Sequence, residues 1–593
     1  MKKFFIAFLG TMAGIWVSLF LITIGVVIVV AIAGASAMTG DSKSAKISSH
    51  SYLEINLEGE ITERPGELDP IAIIQGERTA TIGLNEIVGA IDAAATDSKI
   101  DGIAIECGGS LAGLAQRQAI REALLRFKKA APEKWIYAYG DTYTQGDYYV
   151  ASVADSIFVN PCGMIYLSGL SSTGLYFKGL LDKLGVEMQV VKVGTYKSAV
   201  EPFILTGPSQ PAREQLSQLL GDMWSEISAE VAEARKVNVD SVNTWAASAT
   251  YSFAPETYVE RGLADRLMYR HQFDDLLAKA TRQDSASDLN PVGIRRYCST
   301  CDINRHGNGR DATIGVLYAV GDITDNAGDG IVAAKLVPQI LDLAEEDDID
   351  GLVMVVNSGG GSAFASEQIW EALEQWKSIT GKPLYVSMSD YAASGGYYIS
   401  CGADRIYAQP TTLTGSIGIF GLIPNMQGLL SDKLGITTST VSTVEGGQFP
   451  TGLAPMTPSQ RQAMQAYVDR GYELFTSRCA AGRHMSQDSI KAIAEGRVWS
   501  GQRALELGLV DEIGGLDKAI AGMASKLGAK SWTVETYPAP KKWYEELMEL
   551  SEDFKTSLVS RELDDMAPLY DAARSLRSLS PVQTRMEPFR LEF

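Results

Sequence analysis

Histidine is nearly missing from this chain. Only His50, His271, His306 and His484 occur in 593 residues, and none sits in a motif with spaced acids or ligands. A nucleophile here must therefore find a base other than imidazole. Cysteine is also scarce, with six in all. Cys107, Cys162, Cys401 and Cys479 stand in apolar or helical contexts and read as buried small hydrophobes. Cys298 and Cys301 lie in a polar stretch followed by His306. Three donors fall short of the four that a zinc site usually wants. A local disulfide or two free thiols is the expectation there, with no metal. Positive charge is lacking too. A formal net charge of −20 excludes nucleic acid as a partner, because that binding needs a basic face. It fits a soluble body repelled by an anionic membrane surface and held there by something else.

That something is expected at the N-terminus. Lys2 and Lys3 precede an uncharged, mostly apolar run from Phe4 to about Met38. About 20 residues suffice to cross a bilayer, whereas a cleavable signal peptide has an apolar stretch of only ~7–15. Ala35-Ser36-Ala37 resembles a cleavage site, but the length favours a retained transmembrane helix over residues 1–38. The lysines place the N-terminus inside. No second long apolar run follows, so the body is expected on the other side. At 46% hydrophobic and 21% charged residues the body has material for more than one core.

What the chain does have is a copy of itself. Asp141/Asp390, Gly146/Gly395, Tyr148/Tyr397, Tyr149/Tyr398, Asp155/Asp404 and Pro161/Pro410 are all 249 residues apart. So are Ile100-Asp101-Gly102 and Ile349-Asp350-Gly351, and Glu122-Ala123-Leu124 and Glu371-Ala372-Leu373. The register slips by one between Asp182-Lys183-Leu184-Gly185 and Asp432-Lys433-Leu434-Gly435. An offset this steady means a duplicated domain. The differences inside the frame then matter: Ser394 is matched by Gln145, and Lys197 by Gly447.

The expected organisation is an anchor (1–38), a Ser/Lys/Gly-rich linker (39–51), a first repeat (52–285), a linker (286–312), a second repeat (313–532) and a helical tail (533–593). Strands are expected at Tyr52–Thr62, Ile100–Ile105, Trp135–Ala138 and Ser156–Val159, with helices at Leu84–Ala94 and Gln116–Lys129. The second copy repeats that order: strands at Thr313–Thr324, Leu352–Val356, Leu384–Ser387 and Arg405–Ala408, helices at Lys335–Glu346 and Ala363–Trp376, and a helix start at Tyr391–Ser400. Strands alternating with helices indicate α/β units with parallel sheets. In the tail, Trp543, Leu547, Leu550, Phe554 and Leu558 recur at helical spacing. A helix docked on its own body is the expectation, with an oligomer contact as alternative. The neighbouring acids disfavour a membrane surface.

Three segments carry candidate chemistry. Ser394 stands in Ala-Ala-Ser-Gly-Gly-Tyr-Tyr between a strand and a helix. A helix N-terminus aims free N–H groups at developing negative charge, which suits a nucleophile with the Gly395 N–H as an oxyanion donor. The segment reads equally as a serine N-cap with packing glycines. Gly359-Gly360-Gly361 follows a strand, and three glycines carry a large entropic cost unless backbone amides must face a ligand. The first copy has Ser110-Leu111-Ala112 there, so the copy without the serine also lacks the glycines. A phosphate loop would need a following Gly-Lys-Ser/Thr, which is absent. Lys197 lies in Tyr196-Lys197-Ser198-Ala199-Val200-Glu201-Pro202-Phe203. A lysine is a base only when neutral, so its ordinary pKa near 10.4 must be lowered by burial. A lone lysine in such a stretch is more often a surface residue with a snorkelling stem.

With these residues quoted, the chain resembles the signal peptide peptidase A family in its long, duplicated form. The segment around Lys197, the Ser394 segment, Thr414-Gly-Ser-Ile-Gly418 and Gly508-Leu509-Val510-Asp511 carry the resemblance, which spans most of the chain. It implies a Clp protease/crotonase-like α/β fold in tandem and a serine endopeptidase with a Ser/Lys dyad. Ser394 matches the nucleophile, Lys197 the general base, Ser416 a hydroxyl beside the lysine, and Gly360 and Gly361 the oxyanion segment. Gly359 stands where the family often has proline. The implied setting is a bacterial inner membrane with the body on the periplasmic side. The implied substrates are released signal peptides and other short apolar peptides. The implied assembly is a homotetramer whose dyad forms between neighbouring protomers. No metal or organic cofactor is implied. The other readings are a non-catalytic membrane scaffold of the same fold, and an acyl-CoA enzyme of the crotonase type.

Overall fold

The computed structural model describes residues 47–65, 81–328, 330–441, 443, 450–539, 582–586 and 591–592. The apolar run 4–38, Gly447 and the stripe 543–558 lie outside the described residues. No described helix is long and apolar enough to cross a membrane.

Each repeat builds a parallel sheet. In the first, Ile82–Gly83, Ser51–Thr62, Ile100–Leu111, Trp135–Tyr143, Ser156–Ile165 and Arg266–Leu267 lie side by side in that order. In the second, Trp532–Tyr537, Ala312–Val320, Gly351–Ser358, Leu384–Ala393, Arg405–Ala408 and Glu512–Ile513 do the same. Ile103, Ala104 and Ile105 are fully buried, as are Leu352, Val353 and Met354 at the equivalent place. Consecutive buried residues mean that both sheet faces are covered, as parallel sheets require. The covering helices show the matching stripe. Leu84–Thr96 buries Ile87, Ala90, Ile91 and Ala94, and Ala333–Glu345 buries Leu336, Ile340 and Leu343. The two largest apolar cores are each built mainly from one repeat, with Ala393, Leu413 and Val498 of the second joining the core of the first.

Several expectations need correction. Thr313–Thr324 is two strands, Ala312–Val320 and Ile323–Thr324, divided at Gly321, whose φ of 99° turns the chain. Tyr391–Ala393 continues the strand Leu384–Ala393, and the helix is only Gly395–Ser400. The stretch 286–312 is no plain linker: Pro291–Gly293 pairs with Ser51–Thr62, and Ile294–Cys298 is helical. The tail region opens with a strand, Trp532–Tyr537, that pairs with Ala312–Val320. Cys162 is exposed, not buried. Cys298 and Cys301 are free thiols that donate to different carbonyls, of Glu86 and Tyr297.

A third sheet joins the repeats. Its order is Ile331–Val332, Ile323–Thr324, Gly360–Ser362, Val582–Arg585, Ile419–Asn425 and Glu187–Val193. The last strand belongs to the first repeat. It pairs antiparallel with the second repeat from Val193 against Ile419 to Glu187 against Asn425. This strand carries the chain straight to Lys197.

Ile340 is fully buried. Ile340→Ala is expected to lower stability by about 2–5 kcal/mol, read as a lower urea midpoint. An unchanged midpoint would contradict the packing described.

Candidate active site

Ser394 sits at the sharp corner between the strand Leu384–Ala393 and the helix Gly395–Ser400. Its φ of 56° and ψ of −114° cost a non-glycine residue about 1–3 kcal/mol. Its N–H donates to Gly415 O at 2.8 Å, which holds the corner. A side chain on Gly396 would lie 2.5 Å from Ser358 O, so only glycine lets the helix press on the end of the neighbouring strand. The Ser394 side chain makes no capping hydrogen bond, so the N-cap reading does not hold.

Lys197 is 1% exposed. Its Nζ lies 2.8 Å from Ser394 Oγ, 3.0 Å from Ser416 Oγ and 3.0 Å from Ser416 O. The Ser416 hydroxyl in turn donates to Gly496 O at 3.3 Å. Loops of the second repeat clamp the lysine. Tyr196 N–H donates to Glu495 O at 2.9 Å, and Thr195 bonds the Glu495 carboxylate through both N–H and hydroxyl. A Cβ on Gly496 would stand 2.8 Å from Lys197 Cβ. Ala199 and Val200 pack with Phe420 and Leu422. Burial pushes the Lys197 amine well below its ordinary pKa, because the charged form loses its hydration. The surface reading of this lysine is therefore wrong. So is the expectation that the dyad forms between protomers: one chain brings Lys197 and Ser394 together.

Two carboxylates missed in the sequence fasten the repeats behind the site. Asp390, four residues before Ser394, accepts from Ala115 N–H at 2.9 Å and Gln116 N–H at 3.3 Å at the start of the helix Leu114–Ala130. A Cβ on Gly113 would collide with the Asp390 carboxyl, so a glycine there admits it. Burial, then the nearby Glu63 carboxylate, push Asp390 up to about 7. Glu63 accepts from Gln116, Asn357 and Ser389 side chains at 2.8, 2.8 and 2.5 Å. Burial raises its pKa as well, opposed by those bonds. The only sequence hint was that Asp390 shares the repeat frame with Asp141.

The equivalent corner of the first repeat is closed. Gln145 accepts from the Ser168 and Gly169 N–H groups and donates to Gly169 O, each at 2.9 Å. Asp147 holds Ser110 through its hydroxyl at 2.6 Å and Gly109 through its N–H at 2.9 Å. No position is left for a nucleophile.

In the third sheet the strands Gly360–Ser362 and Ile419–Asn425 stand on either side of a slot one strand wide. A strand from the end of the chain lies in it. Gly360, Gly361 and Ser362 pair antiparallel with Arg585, Thr584 and Gln583, and Phe420 and Gly421 with Gln583 and Val582. Met586 N–H donates to Gly359 O at 2.7 Å. Of the expected oxyanion glycines, Gly360 N–H donates to Ser358 Oγ at 3.2 Å. Gly361 pairs with Ile323, whose carbonyl would meet any Cβ there at 2.0 Å. Gly395 is the first residue of the Ser394 helix. Gly359 has open space where a side chain would stand, so proline's usual place is sterically available.

Known proteins resemble the chain over most of its length. The pattern of Peptidase family S49 matches residues 128–284 and 377–530, once in each repeat, and that of Clp protease matches residues 320–412. "Protease 4" of Haemophilus influenzae is 34% identical over 502 residues, covering 82% of this chain and 80% of that protein. "Protease 4" of Salmonella typhi is 32% identical over 582 residues, covering 94% and 91%. "Serine protease SPPA, chloroplastic" of Arabidopsis thaliana is 29% identical over 438 residues, covering 72% and 63%. The chain is a serine protease and belongs to peptidase family S49, in the long, duplicated form of its signal peptide peptidase A members.

Proposed function

We propose that the chain is a membrane-anchored endopeptidase in which Ser394 is the nucleophile and Lys197 the general base, acting on released signal peptides and other short apolar peptides. The observation that carries this reading is the 2.8 Å contact between Lys197 Nζ and Ser394 Oγ inside a buried site. Neutral Lys197 takes the Ser394 proton as Oγ attacks a peptide carbonyl. The oxyanion forms against backbone N–H groups of the Gly360–Gly361 segment and Gly395, the Gly360 N–H giving up its Ser358 Oγ partner to meet it. Lys197 then protonates the leaving amine. Water attacks the acyl-enzyme by the same route, its proton passing to Lys197 and on to Ser394. Ser416 orients the amine. No step calls for a cofactor.

The slot in the third sheet supports a peptide substrate. Strands on both sides can bond the main chain of an extended segment whatever its sequence, which is recognition by strand addition. Such a groove suits unfolded peptides and rejects folded proteins. The apolar run 4–38 supports an anchor in the bacterial inner membrane with the body outside the cytoplasm. A homotetramer remains part of the proposal, but it is not needed to complete the dyad.

Ser394→Ala and Lys197→Ala are each expected to lower kcat for an apolar peptide by at least about a thousandfold. An equimolar mixture of the two variants, dissociated and reassembled, should stay inactive. Recovery would put the dyad between chains. Lys197 makes a stability prediction as well. Its folded pKa lies below its unfolded value near 10.4, so between the two the unfolded chain binds one more proton. The lysine's contribution therefore weakens as pH falls. Relative to Lys197→Met, the wild type should lose about 1.4 kcal/mol per pH unit on acidification through that window. A pH-independent difference in urea unfolding would show a lysine charged in the fold.

A further inference from the structure

We infer that Arg497 is a positioning residue for the dyad: its guanidinium clasps Tyr196 of the first repeat against Trp499 of the second, and its main chain holds Ser416, so that Lys197 and its polar neighbours stay in register with Ser394. This inference rests on the Ser394/Lys197 reading above and names a residue that keeps the two members together.

Arg497 stands in the turn between the helix Gln487–Ile493 and the strand Val498–Ser500. Its guanidinium carbon lies 4.7 Å from the centre of the Tyr196 ring and 4.4 Å from that of Trp499. Tyr196 immediately precedes Lys197. A planar cation between two aromatic rings is attracted to both, and a lysine ammonium cannot stack in the same way. The guanidinium also donates to the Gln218 side chain, on the first-repeat helix Gln210–Arg235. One side chain of the second repeat is thus held by two residues of the first. The main chain of the same turn reaches the other side of the amine. The Arg497 carbonyl accepts from the Ser416 N–H at 2.7 Å. Its neighbour Gly496 accepts from the Ser416 hydroxyl and packs against Lys197. Glu495 holds a φ of 54°, a conformation that a non-glycine residue keeps only when its surroundings fix it. Arg497 on one side and the bonds from Tyr196 and Thr195 on the other supply that fixing.

The chemistry of the clasp suits a base that must stay neutral. Its partners are two uncharged rings and an amide. An arginine–carboxylate pair could join the repeats as firmly, but it would bring an acid toward Lys197 and favour the charged amine. The first repeat shows the contrast. Its elements Pro255–Glu260 and Arg266–Leu267 recur 246 residues later as Gly501–Glu506 and Glu512–Ile513, a frame that sets Tyr251 against Arg497. Tyr251 is exposed and stacks on Tyr166 of its own repeat. The copy without the nucleophile also lacks the clasp.

The test is the pH dependence of kcat and kcat/KM for an apolar peptide in the wild type, Arg497→Ala, Arg497→Lys and Tyr196→Leu, each checked for folding by its urea midpoint. Arg497→Ala is expected to lower kcat at least about tenfold and to change KM by less than about twofold. It should also move the apparent pKa of kcat/KM up toward the ordinary lysine value near 10.4, because loosened loops admit water to the amine. Arg497→Lys, which keeps the charge without the plane, should do the same, and so should Tyr196→Leu. The double variant Arg497→Ala/Tyr196→Leu should stay within about twofold of the slower single one, since both remove one contact. Should Arg497→Ala fail to fold, Arg497→Lys and Tyr196→Leu carry the test. Folded variants with the wild-type pKa overturn the inference, whether or not kcat falls, and leave the dyad standing. A wild type whose rate shows no rise through a lysine pKa overturns the Ser394/Lys197 reading itself.

Discussion

A lysine amine buried without a compensating charge is the constraint on which the rest of this structure turns. Burial is the sole cause of the downward shift at Lys197. The amine keeps three oxygen neighbours, from Ser394 and Ser416, and none of them is a carboxylate. A nearby acid would restore the positive charge and abolish the base. The site must therefore supply polar contact without negative charge, and hydroxyls and a carbonyl meet that need. Strain accompanies it: Ser394 and Ser416 both hold positive φ, 56° and 50°. Two strained residues facing one desolvated amine persist only because the surrounding fold holds them.

That surrounding fold is duplication put to unequal use. The strand Glu187–Val193 leaves the first repeat to finish a sheet of the second, and Lys197 follows directly. The nucleophile corner of the first repeat is filled by Gln145, while the second keeps Ser394. Glu63 and Asp390 hold the two halves together from behind. Neither repeat alone holds both members of the dyad, so the distance between Nζ and Oγ reports directly on how the repeats dock.

Much of this was legible in the sequence, and the reasons differ by residue. The repeat made Ser394 stand out, because an offset of 249 residues sets it against Gln145 and sets the glycine run against Ser110-Leu111-Ala112. Parallel α/β units followed from alternating apolar runs, since each strand is covered on both faces. Lys197 needed the family resemblance. Its burial comes from Gly496, Gly418 and the neighbouring loops of the other repeat, and no local pattern encodes contacts across such separations. For the same reason the meeting of Lys and Ser within one chain was misread as a contact between protomers. Glu63 and Asp390 were overlooked because acids are normally solvated, and only the fold shows them buried against helix N–H groups and amides. The strand character of Trp532–Tyr537 and Val582–Arg585 was hidden by the helical stripe lying between them.

The most direct test of the account is the pH dependence of kcat/KM for an apolar peptide. A neutral, buried Lys197 predicts a rate that rises through one apparent pKa well below 10.4 and then levels off. A rate still climbing near pH 10 would mean that the amine is not desolvated. A rate flat from mildly acidic to alkaline pH would contradict a lysine base altogether.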